Sequence, residues 1–202
     1  LNKKEVYFGL KREFVNYDEV YSSIILEVRK ELAALDTPPP SFMIMRPSRQ
    51  LSKMICDPSR WGLYPAQNLD GDIFSDISAA LGGSLATASS VITSKDGTKL
   101  FEAPHGTAHD LYIRYLETEG KEANFNSSAL IFAVASALEE LATREDNAAL
   151  NDYAARLKTA LIETVAQGTV TGDLKGKTTT PEAERIVDMH GFLDAIAENL
   201  TA

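Results

Sequence analysis

Apolar residues along this chain switch repeatedly between the two-residue period of a strand and the wider period of a helix. Glu5 to Leu10 (E-V-Y-F-G-L) predicts a short strand. From Tyr17 to Leu35 the apolar positions are Val20, Ile24, Ile25, Val28, Leu32 and Leu35, which is helical spacing and predicts an amphipathic helix. Thr37-Pro38-Pro39-Pro40 ends it, because proline cannot continue a helix. Phe42 to Met45 predicts a second strand, and Gln50 to Cys56 a short helix closed by Asp57-Pro58. Trp61 to Leu69 has the pattern of a third, buried strand. It leads through a turn at Asp70-Gly71-Asp72 into an apolar helix, Ile73 to Leu81, that stops at Gly82-Gly83.

Further along, Ala86 to Ile92 fits a short strand or loop. Lys95-Asp96-Gly97 is a hairpin-type turn before a strand from Lys99 to Glu102. A glycine-containing loop, Pro104 to Asp110, follows. Ala129 to Leu141 is almost wholly apolar and predicts a core helix. Leu150 to Gln167 is amphipathic through Tyr153, Leu157, Leu161 and Val165, with Gly168 where a C-terminal cap glycine belongs. Gly191 to Leu200 predicts a terminal helix, and neither internal repeats nor low-complexity tracts are evident. Strands alternating with helices in this way indicate an α/β protein.

Composition narrows the picture. The chain has 202 residues, 44% of them hydrophobic and 24% charged, an ordinary globular balance with enough length for one core or two unequal lobes. It holds no apolar run of the roughly 18 residues that a membrane helix needs, so a membrane span is not expected. The single cysteine, Cys56, rules out an internal disulfide and a cysteine metal cluster and suggests a reducing compartment. A net charge of −9 argues against general nucleic-acid binding, since phosphates would be repelled. The first residues, Leu1-Asn2-Lys3-Lys4, carry neither an initiator Met nor a signal-peptide pattern, which suggests processing or a longer parent chain.

Two segments carry candidate chemistry. In N-L-D-G-D-I-F-S-D, Asp72 and Asp76 are four residues apart at the expected start of a helix, so both carboxylates share one face. A hard divalent cation would relieve their repulsion; equally, acids favour a first turn through the helix dipole alone. In F-E-A-P-H-G-T (residues 101–107), a strand runs into a glycine loop that suits close backbone approach to a phosphate or ribose. It is not a G-x-G-x-x-G fingerprint, and His105 could equally be a loop-packing histidine.

Taken together, N-L-D-G-D-I-F-S-D and E-A-P-H-G-T resemble the β-decarboxylating dehydrogenases, the isocitrate and isopropylmalate dehydrogenase family. The isocitrate branch is further suggested by Asn126-Ser127-Ser128-Ala129-Leu130-Ile131-Phe132-Ala133. Glu163-Thr164-Val165, Thr171-Gly172-Asp173-Leu174 and Phe192-Leu193-Asp194 point the same way. The order and spacing of these blocks match from about residue 5 to the end, as the C-terminal half of such an enzyme.

The resemblance implies an α/β fold of that family, a mixed sheet flanked by helices in two lobes. Residues 1–82 would be part of the small, dimer-forming domain and 83–202 the later part of the large cofactor-binding domain. It implies oxidative decarboxylation of isocitrate with NAD and Mg2+ or Mn2+, in a homodimer or larger homo-oligomer of the cytoplasm or mitochondrial matrix. Asp72 and Asp76 match the metal-holding acids. Lys11 matches a catalytic lysine if one residue is deleted before Tyr17-Asp18. His105, Gly106 and Thr107 match the loop at the adenosine end of the cofactor, with Asn126 and Asp173 near the adenine. At Asp110, followed by Leu111, NADP-using relatives place Arg or Lys followed by His or Tyr. A carboxylate there would accept from ribose hydroxyls and repel a 2′-phosphate, which points to NAD.

Two departures stand against full activity. The family's third metal acid comes from a stretch of the type R-x-x-D-D, and here the stretch reads Arg46-Pro47-Ser48-Arg49-Gln50. The family's N-terminal half, which holds the substrate carboxylates and a catalytic tyrosine, has no counterpart in these residues. Expected alternatives are therefore a non-catalytic or regulatory subunit of the same fold, and the same fold acting on isopropylmalate, homoisocitrate or tartrate.

Overall fold

A computed structural model describes residues 5–12, 15–35, 40–57, 62–106, 108–122 and 124–201. The chain divides into two compact units, residues 1–78 and 79–202.

In the first unit, β1 (Glu5–Gly9) and β2 (Ser41–Met45) pair in parallel, with Glu5 opposite Ser41 and Gly9 opposite Met45. α1 (Asn16–Ala33) connects them; the Thr37–Pro39 stop lies outside the described residues, and Pro40 is described. α2 (Pro47–Cys56) follows β2 directly. It starts three residues earlier than its apolar spacing predicts, because Arg46 is extended and Pro47 takes the first helical position, where its fixed φ suits a helix start. α2 packs on β1 through Met54 and Gln50, both buried, beside buried Val6, Tyr7 and Leu10. A Cβ at Gly9 would fall 2.3 Å from Gln50 Oε1, so a larger residue there would require the buried Gln50 side chain to shift.

The third strand expected over Trp61–Leu69 is not formed. Trp61 lies outside the described residues, and among residues 62–69 Leu63 alone makes a parallel bridge, to Val6. It accepts from Tyr7 N–H at 2.9 Å and donates to the Glu5 carbonyl at 3.3 Å. Pro65 has no N–H to extend that ladder, and Leu63 is 62% exposed, not buried. The turn expected at Asp70-Gly71-Asp72 is also replaced. α3 (Asn68–Leu81) already includes it, and Gly71 N–H donates to the Gln67 carbonyl at 2.7 Å. Acids in a first turn gain from the helix dipole, which offsets the ~1 kcal/mol that glycine costs a helix.

The apolar stripe of α1 is open. Ile25 is buried, while Val20 is 59% exposed, Ile24 48% and Val28 40%. What holds the helix start is buried Asp18, which accepts from Lys11 N–H at 2.6 Å and from Gln67 Nε2 at 2.8 Å.

In the second unit, a three-residue turn of tight helix (Leu85–Thr87) leads to a hairpin of β3 (Ser90–Thr93) and β4 (Lys99–Glu102). The strand expected somewhere in Ala86–Ile92 thus starts at Ser90. α4 (His109–Glu117), which the pattern did not predict, follows the loop after β4. α5 (Ser128–Arg144), α6 (Ala148–Ala166) and α7 (Met189–Thr201) form the core. Ala160, Leu161, Phe192 and Ile196 meet there, with Phe132, Leu157 and Val165 against them. Gly168, at φ +88°, closes α6 as expected, since a left-handed residue costs glycine nothing. Two-residue strands β5 (Thr169–Val170) and β6 (Arg185–Ile186) pair in parallel on either side of the Gly172–Leu174 turn.

The α/β class therefore holds. Among the described residues the strands occur as three pairs, β1–β2, β3–β4 and β5–β6. β4 is seated on α5, where Lys99 Nζ meets Glu140 Oε2 at 2.5 Å and Arg144 Nε meets Glu140 Oε1 at 2.9 Å. This anchors the strand that runs into the His105 loop.

Candidate dinucleotide and metal sites

A cavity of about 350 Å³ opens in the second unit. The tight turn Leu85–Thr87, the loop after β4, the start of α4 and the loop before α5 all contribute to its wall. Leu85, Ala86, Leu111 and Phe125 give apolar surface, and Ser84, His105, Asn126 and Asp173 are polar. Apolar walls with a few convergent polar groups are the usual make-up of a small-molecule site.

Asp173 organises the polar side. Its Oδ2 accepts from Ser84 Oγ at 2.5 Å and Asn126 Nδ2 at 2.8 Å, and its Oδ1 accepts from Thr171 Oγ1 at 2.6 Å. Burial pushes its pKa up, but the hydrogen bonds from Ser84, Thr171 and Asn126 outweigh that and hold the carboxyl below its ordinary range. Asn126 is held at both ends, since its Oδ1 also accepts from Ser128 N–H at 2.9 Å as α5 begins. One amide N–H and one oxygen lone pair of Asn126 are then left over, a donor and an acceptor that match the edge of an adenine.

His105 is exposed, with Nδ1 3.0 Å from the Gly106 carbonyl oxygen. A Cβ added at Gly106 would have nothing within 4 Å, so the space above this backbone is open. Thr107 lies outside the described residues. Ala108 takes the left-handed conformation, φ 50°, which turns the chain sharply into α4. Asp110 is exposed in the first turn of α4 beside the cavity residue Leu111, though Asp110 is not itself in the cavity lining.

Of the sequence-derived site residues, the fold thus gathers His105, Gly106, Asn126 and Asp173 around one cavity. Lys11, Asp72 and Asp76 belong to the first unit. Lys11 is exposed just beyond β1. Asp72 and Asp76 sit one turn apart on α3, both exposed. They lie one turn further into the helix than expected, yet the shared face survives, since the i, i+4 relation holds anywhere in a helix. No group of three or more His, Cys, Asp or Glu side chains placed to hold a metal occurs among the described residues. Two exposed carboxylates one helical turn apart can supply at most two oxygen ligands to a hard divalent cation, which would need its remaining oxygens from water or another molecule.

Sequence reasoning missed Ser84, Phe125, Ala108 and all of α4. A signal for α4 was present in Leu111, Tyr115 and Leu116 at helical spacing. Ser84, following Gly82-Gly83, also had the form of a capping serine, and its Oγ accepts from Ala86 N–H at 3.1 Å.

Residues 48–190 match the family described as isocitrate/isopropylmalate dehydrogenase. The chloroplastic/mitochondrial isocitrate dehydrogenase (NADP) of Arabidopsis thaliana is 36% identical over 141 residues, covering 68% of this chain and 29% of that protein. Isocitrate dehydrogenase (NADP) 1 of Mycobacterium tuberculosis is 34% identical over 156 residues, covering 75% of this chain and 37% of that protein. Among solved structures, isocitrate dehydrogenase from Methylococcus capsulatus superposes with a TM-score of 0.74 at 26% identity, over 98% of this chain and 51% of that one. The chain thus spans roughly a third of the length of these curated relatives.

Proposed function

The chain belongs to the isocitrate/isopropylmalate dehydrogenase family, and we propose that it is the C-terminal part of an enzyme that oxidatively decarboxylates isocitrate to 2-oxoglutarate. NAD accepts the hydride, and Mg2+ or Mn2+ is bound. The observation that carries this is the convergence of His105, Gly106, Asn126 and Asp173 on one cavity from distant parts of the sequence.

In this reading His105 and Gly106 would hold the adenosine end of the dinucleotide, and Asn126 would offer its remaining donor and acceptor to the adenine. Asp173 acts behind Asn126, fixing the amide plane. The relatives above are named for NADP; the preference for NAD rests on Asp110. The positive end of α4 would by itself favour a 2′-phosphate, and Asp110 in its first turn opposes that. Asp72 and Asp76 hold the divalent ion. When bound, that ion supplies polarisation of the substrate's C2 oxygen and stabilises enolate charge. Lys11 transfers a proton at the active site of a neighbouring subunit. Ile73, 46% exposed, and Leu81, 54% exposed, offer the apolar surface on which α3 meets a second copy.

The test is the complete polypeptide assayed for Mg2+-dependent reduction of NAD with isocitrate, beside NADP and isopropylmalate. Turnover with isocitrate and NAD supports the reading, and its absence under all pairings removes it. A second reading, a non-catalytic subunit of the same fold, is favoured by Arg49 where the resemblance puts an acid. It requires a folded complete chain without metal-dependent turnover.

A further inference from the structure

We infer that Lys177 and Glu184 are positioning residues of the dinucleotide cavity: together they clamp the Gly83–Ser84 wall against the Asp173 turn and so fix how Asn126 meets the adenine. The inference rests on the proposed reading of that cavity as the adenosine site.

Neither Lys177 nor Glu184 lines the cavity, so both act through other groups. Ser84 does line it, and its hydroxyl donates to Asp173 Oδ2, the same oxygen that takes the Asn126 amide. The aim of that amide therefore depends on where Ser84 and Asp173 stand. Ser84 precedes the Leu85–Thr87 turn, and Asp173 sits within the Gly172–Leu174 turn. A single hydrogen bond between two such stretches is a pivot; a second one beside it fixes their orientation.

Lys177 supplies the second. Its Nζ donates to the carbonyl of Gly83, the residue next to Ser84. Its methylenes lie over Gly83 as well: a Cβ added there would be 3.7 Å from Lys177 Cδ and 3.4 Å from Leu174 Cδ2. The stem thus packs on the wall while the ammonium group bonds it.

Glu184 aims that lysine. The parallel pairing of β5 with β6 ties Arg185 N–H to the Gly168 carbonyl at 2.8 Å and Val187 N–H to the Val170 carbonyl at 2.9 Å. This closes the loop of residues 171–184 and brings Glu184 back to it. Its carboxylate then grips both chain neighbours of Lys177. Oε2 accepts from Gly176 N–H at 2.7 Å, and Oε1 accepts from Thr178 N–H at 3.2 Å and Thr178 Oγ1 at 2.7 Å. The Gly176 bond first, and the Thr178 hydroxyl after it, hold the carboxyl below its ordinary range, so it accepts throughout neutral pH. With residues 176 and 178 tied to one carboxylate, a long side chain between them loses less freedom on reaching Gly83. Its bond is charge-assisted, but Lys177 is exposed and water competes, so the effect on affinity is moderate.

The experiment is calorimetric titration of the complete polypeptide with NAD and with NADP, then kinetics with isocitrate and Mg2+. Lys177→Met should weaken both dinucleotides roughly three- to tenfold and by the same factor, because the adenine is common to them. The KM for the dinucleotide should rise with kcat and the KM for isocitrate unchanged, whereas a merely destabilised protein would lose kcat alone. Lys177→Arg, which keeps a charged donor, should recover most of the loss. Glu184→Gln should show a smaller loss in the same direction, and it carries the test if Lys177→Met does not fold. Lys177→Met combined with Ser84→Ala should cost less than the sum of the two, since both release one wall.

Wild-type affinity in Lys177→Met and Glu184→Gln overturns the inference and leaves the cavity reading intact. A loss falling on NADP alone also overturns it, because that is the signature of a missing charge near the 2′-phosphate. A wild-type chain that binds neither dinucleotide removes the cavity reading and this inference together. Dinucleotide binding without turnover, weakened by these variants, would count against the proposed enzyme and leave the positioning role standing.

Discussion

Asn126 and Asp173 are 47 positions apart, and their side chains meet at 2.8 Å, Nδ2 to Oδ2. The contact joins the loop before α5 to the turn after β5. It makes Asp173 a positioning group, because its carboxylate already accepts from Ser84, Asn126 and Thr171.

Asp173→Asn should therefore weaken dinucleotide binding while sparing the fold. Losing an acceptor shared by Asn126 and Ser84 amounts to about 1 kcal/mol, or roughly fivefold in affinity. The wild-type carboxyl sits below its ordinary pKa of 3.8 in the folded protein. Its contribution to stability is accordingly complete above that value and lost as pH falls through the depressed one. Thermal melts of wild type and variant should converge as pH drops below about 4. A gap that widens on acidification would contradict the assignment.

Asp110→Arg in the complete protein should raise the use of NADP relative to NAD. The substitution removes a repelling charge and adds an attracting one at the start of α4, and a shift of about tenfold or more in the ratio of kcat/KM values is expected. An unchanged ratio would detach Asp110 from cofactor choice.

Gly9→Ala should destabilise the first unit by about 1–3 kcal/mol, because the new methyl group has to displace Gln50. Combining it with Gln50→Ala should recover part of the loss, since the two changes share one contact. Chemical denaturation of the single and double variants measures this. Strict additivity would show that the contact is not what excludes a side chain.

At the hairpin tip, Asp96 accepts from Ser94 Oγ and from Thr98 N–H, and its pKa is lowered to about 2, the Ser94 bond being the largest cause. The turn should keep its native amide shifts as pH falls below 4, and lose them only near about 2. NMR titration of Thr98 N–H reports this directly; a midpoint near the ordinary value of 3.8 would mean that the turn is not formed in solution.

Asp72→Asn and Asp76→Asn should each lower Mg2+ affinity of the complete chain at least tenfold, as removing one of two carboxylate ligands requires. Calorimetric titration with Mg2+ checks it, and wild-type affinity in both variants would place the ion elsewhere.

Four-residue spacing was enough to put Asp72 and Asp76 on one helix face, and the strand before Gly106 was enough to mark a loop at His105, but only the resemblance gave either segment a role. Ser84 was not readable, because its role depends on Asp173, which is 89 positions away. A groove of the first unit lined by Arg12, Arg46 and Arg49 was equally hidden. Arg12 follows β1, while Arg46 and Arg49 begin α2, and nothing local says that β1 and β2 run side by side.

What linear order settles here is whatever local physics enforces: helices from apolar spacing, the end of α6 from Gly168, the common face of Asp72 and Asp76 from one helical turn. Where local forces are balanced, linear order leaves the outcome open. Asp70-Gly71 suits a turn or a helix about equally, and Gly62 to Gln67 could have been a strand had Pro65 carried an N–H. The cavity at Asp173, the open stripe of α1 and the gathered arginines are different in kind. Each depends on which distant segments pack together, and that is a balance of burial and hydrogen bonding over the whole chain that no short window contains.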